Sequence, residues 1–229
     1  MSTLVLTARD MDLLAFLALH RECPLDLLAP RFFAKHPYTR EAHAVPIKPC
    51  LRRLRQLCAH GYVDLAAIKD APGRASRRVA RLARRADDPL HQAAARRAVP
   101  AKERLHHLRT LEAVHAIELD VRRRGGRVVE FRLEGAIRAE AQRGRMTRRG
   151  ESFESFPDAV CTIAYPSPSG ERVVRVAVEY VTSKYTDADI YAKHESFPRT
   201  YDGALWFADN ARTAERVRHI TGGACALLR

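Results

Sequence analysis

The sequence predicts an α/β protein in two parts, with three short helices and a basic hairpin in front and alternating strands and helices behind. Three observations predict it. Near the N-terminus, apolar residues recur at helical spacing in three stretches, and two strand-like runs follow around Pro72-Gly73. Beyond residue 127 the apolar runs shorten to strand length and are separated by turn-forming residues and amphipathic stretches. Basic charge is also concentrated in front: residues 1–100 hold 18 Lys or Arg against 9 Asp or Glu, whereas the remaining 129 hold 22 against 18.

The whole chain of 229 residues is long enough for one large domain or two small ones, and its 46% hydrophobic share suffices for a core. A formal charge of +13, dominated by Arg, points to a polyanionic partner, because the guanidinium fork pairs with phosphate. Nucleic acid is the first candidate and an anionic membrane the second. No apolar stretch approaches the roughly 18 residues a span needs. The opening "MSTLVLTARD" meets charge too early for a signal peptide. The five cysteines form no CxxC pair and are odd in number, which suggests a reducing cytoplasm with thiols used as small apolar groups. The expected location is therefore the cytoplasm.

The first helix is expected in "LTARDMDLLAFLALHREC", capped by Thr7 with Asp10 in its first turn. Leu13, Phe16 and Leu17 form its apolar stripe, with Leu14 flanking. Pro24 opens a short second helix, "PLDLLAPRFF", at the position proline favours. A third, "PCLRRLRQLCAHGYV", starts near Pro49 and stops at Gly61, with Leu51, Leu54 and Cys58 inward. The strand candidates "YVDLAAI" and "VARLARR" flank "KDAPGRASRR". Three helices followed by a basic hairpin describe a winged helix-turn-helix, whose third helix enters the major groove and whose wing grips phosphate. Lys48, Arg52, Arg53, Arg55 and Gln56 are the expected contacts from the helix, and Arg74, Arg77 and Arg78 from the wing. Arg and Gln suit bidentate contacts with guanine and adenine edges. The stretch "AKHPYTREAHAVPIK" makes an unusually long connection before the third helix.

A linking helix is expected from about 101 to 124, closed by Gly125-Gly126, with Leu105, Leu108, Leu111 or Glu112, and His115 at helical spacing and Leu119 continuing the pattern. Its histidines His106, His107 and His115 have no acidic or Cys partner at ligand spacing. The expected domains are thus 1–88, a helical linker over 89–126, and 127–229.

In the rear domain, "VVEFRLEGAIRAEAQR" passes from strand to a helix containing Glu134. "FPDAVCTIAYPSPSGERVVRVAVEYV" gives two strands about a turn, "TDADIYAKHESFPRTY" a helix, "GALWFAD" a strand, "ARTAERVRHI" a helix and "ACALL" a last strand. This order matches a restriction-endonuclease-like αβ domain. Its chemistry asks for two carboxylates on one metal, since magnesium prefers hard oxygen ligands beside phosphate. Asp158 heads one strand and Glu179 lies near the end of its neighbour, the Pro-Asp and acidic parts of a PD-(D/E)xK site. The lysine is missing, because Val181 stands two residues after Glu179. Lys184 has the wrong parity if the strand continues, Lys193 on the next helix is a migrated candidate, and Glu134 a candidate extra carboxylate.

Taken in order, these phrases resemble the replication-relaxation family of plasmids and integrative elements. The resemblance rests on "LTARDMDLLAFLALHREC", "LRRLRQLCAHGYV", "RLHHLRTLEAVHAIEL", "FRLEGAIRAE" and "FPDAV…VAVEYV…YAKH". It implies a mobile-element DNA-binding protein, winged helix in front and nuclease-like domain behind. The chain departs from the family in the long connection before the third helix and in "VEYVTSKY", where an Asp commonly follows the Glu by two.

The leading expectation is a homodimeric regulator of transcription or replication on double-stranded DNA, with a non-catalytic rear domain for dimerisation or partner binding. Two half-sites multiply the limited affinity of one winged helix. No cofactor is required for that. The alternative is a magnesium-dependent DNA endonuclease or nickase, with Asp158 and Glu179 on the metal, joined by Glu134, and Lys193 as the displaced lysine. A third idea is a replication or conjugation accessory protein.

Overall fold

The computed structural model describes residues 4–33, 47–68, 76–83, 99–145 and 155–228. Among these the chain forms seven helices, a three-stranded antiparallel sheet and a five-stranded mixed sheet. It divides into two compact units, 1–108 and 109–229, and the division falls inside one helix.

The first unit opens with α1 (Ala8–His20), and its start is set by a capping box. Thr7 Oγ1 accepts from the Asp10 N–H at 3.3 Å, and Asp10 accepts from the Thr7 N–H at 2.7 Å. Leu13, Leu14 and Leu17 are buried. A three-residue strand, β1 (Glu22–Pro24), precedes α2 (Leu25–Phe32). It is too short to show periodicity, so only its pairing reveals it. Then come α3 (Ile47–Ala59), β2 (Val63–Ile68) and β3 (Arg77–Leu82), with strand order β1-β3-β2.

In α3 the buried stripe is Cys50, Leu54 and Leu57, and Cys58 is exposed. The expected inward set of Leu51, Leu54 and Cys58 was therefore out of phase. Both sets fit helical spacing, and the packing partners select between them. Gly61, at φ 71°, ends the helix in the left-handed conformation, while the Tyr62 N–H closes back on the Leu57 carbonyl at 2.9 Å.

The long helix α4 (Ala101–Arg123) ends before Gly125, at φ 78°. Leu108, Leu111, Val114, Ile117 and Val121 are its buried stripe, whereas Leu105 and Leu119 are exposed. β4 (Arg127–Leu133) runs directly into α5 (Glu134–Arg145). β5 (Ala159–Ser167) and β6 (Gly170–Val181) form a hairpin about Pro168 and Ser169. α6 (Asp187–Ser196), a 3₁₀ turn (Phe197–Arg199), β7 (Gly203–Ala208), α7 (Ala211–Thr221) and β8 (Cys225–Leu227) complete the unit.

The larger sheet has the order β4-β5-β6-β7-β8, antiparallel through β6 and parallel from β6 to β8. On one face Ala177, Val181, Trp206 and Ala208 pack with Ile190, Phe197, Ala214 and Val217. This places α6 and α7 over the end of β6. All five cysteines are free thiols. No helix among the described residues is long and apolar enough to cross a membrane.

Candidate functional site

Hairpin register brings the two carboxylates of the rear unit together. Ala159 pairs with Val178, so one step beyond the ladder Asp158 stands opposite Glu179 on the same sheet face. Backbone donors then fix each side chain. The Tyr180 N–H donates to Asp158 Oδ2 at 2.8 Å, and the Asp158 N–H donates to Glu179 Oε2 at 3.3 Å. Asp158 is 5% exposed and Glu179 fully buried.

Two opposed, buried carboxylates repel unless a positive group joins them. Lys193 is that group: its ammonium forms an ion pair with Glu179 Oε1 and donates to the Phe156 carbonyl at 3.2 Å. Tyr185 donates its hydroxyl to the same Oε1 at 2.9 Å. Burial and the neighbouring Asp158 push the Glu179 carboxyl up to about 8, against the pull of Lys193 and Tyr185. Burial, followed by the Glu179 and Asp158 charges, pushes the Tyr185 hydroxyl up as well.

Val181 follows from the same packing. It lies on the sheet face of Glu179 but further along, in the apolar cluster beneath α6 and α7. A lysine at that position would put its ammonium in the core. Lys193 enters from α6 instead, because that helix crosses over Glu179. Lys184 is exposed in the turn after β6, where its N–H meets Thr182 Oγ1. Glu134 is the first residue of α5, and its N–H donates to the Asp158 carbonyl at 2.8 Å. Its carboxylate is engaged by Arg138 at 2.8 Å and does not join the pair. The expectation of Glu134 as an extra metal carboxylate is thus not met in this geometry.

A magnesium ion needs oxygen ligands and tolerates water among them. Among the described residues no group of three His, Cys, Asp or Glu side chains is placed to hold a metal. Asp158 and Glu179 are the two oxygen-donor side chains that the hairpin sets side by side. Three donors occupy Glu179, two on Oε1 and one on Oε2, of the roughly four acceptor positions a carboxylate offers.

In the first unit, Lys48, Arg52 and Arg55 are exposed at helical spacing on α3, opposite the buried Cys50, Leu54 and Leu57. Gln56 is exposed beside them. Arg53, expected in the DNA-facing set, is committed to the fold. Its Nε meets Asp10 Oδ1 at 3.0 Å, and one terminal nitrogen meets Asp10 Oδ2 at 2.6 Å and the Val5 carbonyl at 2.9 Å. Its other terminal nitrogen donates to Gln56 Oε1 at 3.0 Å. Asp10 is 1% exposed, and although burial opposes its charge, Arg53 and Thr7 hold its carboxyl down at about 2. On the hairpin, Arg78 is exposed, Arg77 pairs with Asp26 at 2.7 Å, and Arg74 lies outside the described residues.

The residues that sequence reasoning missed are Tyr185, Phe156 and the structural role of Arg53. Tyr185 had one usable signal, its place just before the Thr186 cap of α6, which fixes it at the mouth of that helix. Comparison with protein-family models, with curated proteins and with solved structures gives no match.

Proposed function

We propose that this protein binds double-stranded DNA through α3 and the β2–β3 hairpin, and that its rear unit is a metal-dependent DNA endonuclease or nickase whose lysine has moved from strand to helix. One observation carries the second half: the Lys193 ammonium rests on Glu179 with Asp158 opposite. The sequence alone favoured a non-cutting rear domain because residue 181 is Val. The geometry supplies from α6 the ammonium whose absence supported that expectation.

The winged-helix reading is supported by the pairing of the short strand between α1 and α2 with the hairpin after α3. The restriction-endonuclease-like reading is supported by three antiparallel strands extended by two parallel ones, with Asp158 just before the second strand and Glu179 on the third. A mobile-element protein of the replication-relaxation kind, acting as a dimer at the nucleoid, fits both halves.

Asp158 and Glu179 would hold the ion, which supplies a nucleophilic hydroxide and neutralises charge on the phosphate. The chain's own groups do the rest. The Tyr180 and Asp158 N–H groups fix the carboxylate planes, Lys193 offsets negative charge beside a phosphate, and Arg52, Arg55 and Arg78 hold the duplex backbone.

A second reading has its own support. Glu179 is wholly enclosed and already engaged by three donors, which suits a rear unit kept for dimerisation in a regulator that does not cut. Incubating the full chain with supercoiled plasmid and labelled duplex, in magnesium, manganese or EDTA, separates the two. Metal-dependent nicking that is lost in Asp158→Ala while DNA binding persists is the expected result. Salt-sensitive binding with no cleavage in either metal would leave the regulator.

A further inference from the structure

We propose that Tyr185 is a positioning residue that holds the Lys193 ammonium on Glu179. The proposal rests on the nuclease reading above and adds to it the part a migrated lysine needs. A lysine two residues beyond the acid on the strand would be aligned by the sheet itself. A lysine on a helix reaches its partner on a flexible four-carbon arm with no planar fork to orient it, so something beside the carboxylate must hold its head.

Tyr185 is built for that. Its carbonyl accepts from an Arg216 terminal nitrogen of α7 at 2.7 Å, which ties the backbone of the β6–α6 connection. The next residue, Thr186, caps α6 through a capping box with Asp189, so the position of Tyr185 relative to Lys193 is set by about two turns of a capped helix. The hydroxyl then donates to Glu179 Oε1, the same atom that takes Lys193. The ring centroid lies 5.5 Å from Lys193 Nζ, within range of a cation–π contact. An ammonium has three donors. Two of them go to Glu179 Oε1 and the Phe156 carbonyl, and the ring face borders the head on a further side. The ring thus borders the ammonium while the hydroxyl of the same side chain holds the carboxylate oxygen that the ammonium meets.

The test uses the full chain as wild type, Tyr185→Phe and Tyr185→Leu. The first variant keeps the ring and loses only the hydroxyl; the second loses both. Lys193 acylation by an N-hydroxysuccinimide ester is followed by peptide mass spectrometry, with exposed Lys184 as internal standard, and cleavage of labelled duplex in manganese is followed in parallel. The expected result is slow Lys193 labelling in wild type, a several-fold rise relative to Lys184 in Tyr185→Phe, and roughly tenfold in Tyr185→Leu. Cleavage kcat falls about tenfold or more while KM for duplex stays within about twofold, since a misplaced group costs rate rather than substrate binding. Unchanged Lys193 labelling in both variants overturns the proposal, as does a rise shared equally by Lys184. If wild type does not cut yet Lys193 labelling responds as expected, the nuclease reading falls and the placement of Lys193 by Tyr185 stands.

Discussion

Replacing Arg53 with alanine should destabilise the first unit while leaving the DNA-facing side of α3 intact. The side chain joins α3 to the start of α1 through Asp10, across a separation of 43 residues. In the folded chain the Asp10 carboxyl is held at about 2, against 3.8 for an ordinary aspartate. That difference corresponds to roughly 2 kcal/mol at neutral pH. Breaking a fully buried pair costs about 3–5 kcal/mol, and the Arg53 side chain, 21% exposed, should fall below that range. Both routes give a loss of roughly 2–3 kcal/mol, or about 10–20 °C in Tm for a unit of this size. Asp10 is a group with a lowered folded pKa. Its contribution is complete above 3.8 and is lost as pH falls through about 2, so the gap between variant and wild type should close over that window. The assay is thermal unfolding of the full chain across pH, paired with DNA binding across salt. The control is Arg52→Ala/Arg55→Ala, which should hold Tm within about 2 °C and reduce the slope of log K against log salt by about two. If Arg53→Ala keeps its Tm and instead lowers the salt slope by about one, Arg53 is a phosphate contact and the structural assignment is wrong.

Two further outcomes are expected in the rear unit. Glu179 has a raised folded pKa, so its contribution to stability is fully present below 4.5 and is lost as pH rises through about 8. Metal-free protein should therefore lose up to a few kcal/mol of rear-unit stability between about pH 4.5 and pH 8, and Glu179→Gln should flatten that slope; an identical slope in the variant would assign the titration elsewhere. Lys193→Ala should abolish cleavage and keep DNA binding, and adding Val181→Lys should fail to restore it, because Val181 is 0% exposed in an apolar cluster. The double variant should also lose about 3 kcal/mol or more from burying an unpaired ammonium, measured by denaturant unfolding. Recovery of cleavage with unchanged stability would show that position 181 opens to the site.

Much of this protein was legible in its residues because the relevant information is local. Thr7 and Asp10 announce the start of α1, since a capping box spans only four residues. The apolar spacing between 101 and 124 and the Gly-Gly that follows marked α4 almost to the residue. Asp158 and Glu179 were also readable as a pair. They lie at equal distances from the turn at Pro168 and Ser169, and a regular antiparallel hairpin places such residues opposite each other. The charge of the front hundred residues needed no structure at all.

What tertiary structure decided is of another kind. The phase of α3, with Leu57 rather than Cys58 inward, depends on which neighbours pack against it, and both patterns satisfy the helical period. The use of Arg53 depends on a partner 43 residues away. Lys193 meets Glu179 across 14 residues because α6 folds back over the end of β6, and no spacing rule converts that distance into a contact. Caps, turns and periodicity are properties of neighbouring residues, so the sequence alone determined the helices and the longer strands, the basic front and the paired carboxylates, but not the three-residue β1. Which buried charge meets which counter-charge is a property of how elements stack, and only the folded chain decides it.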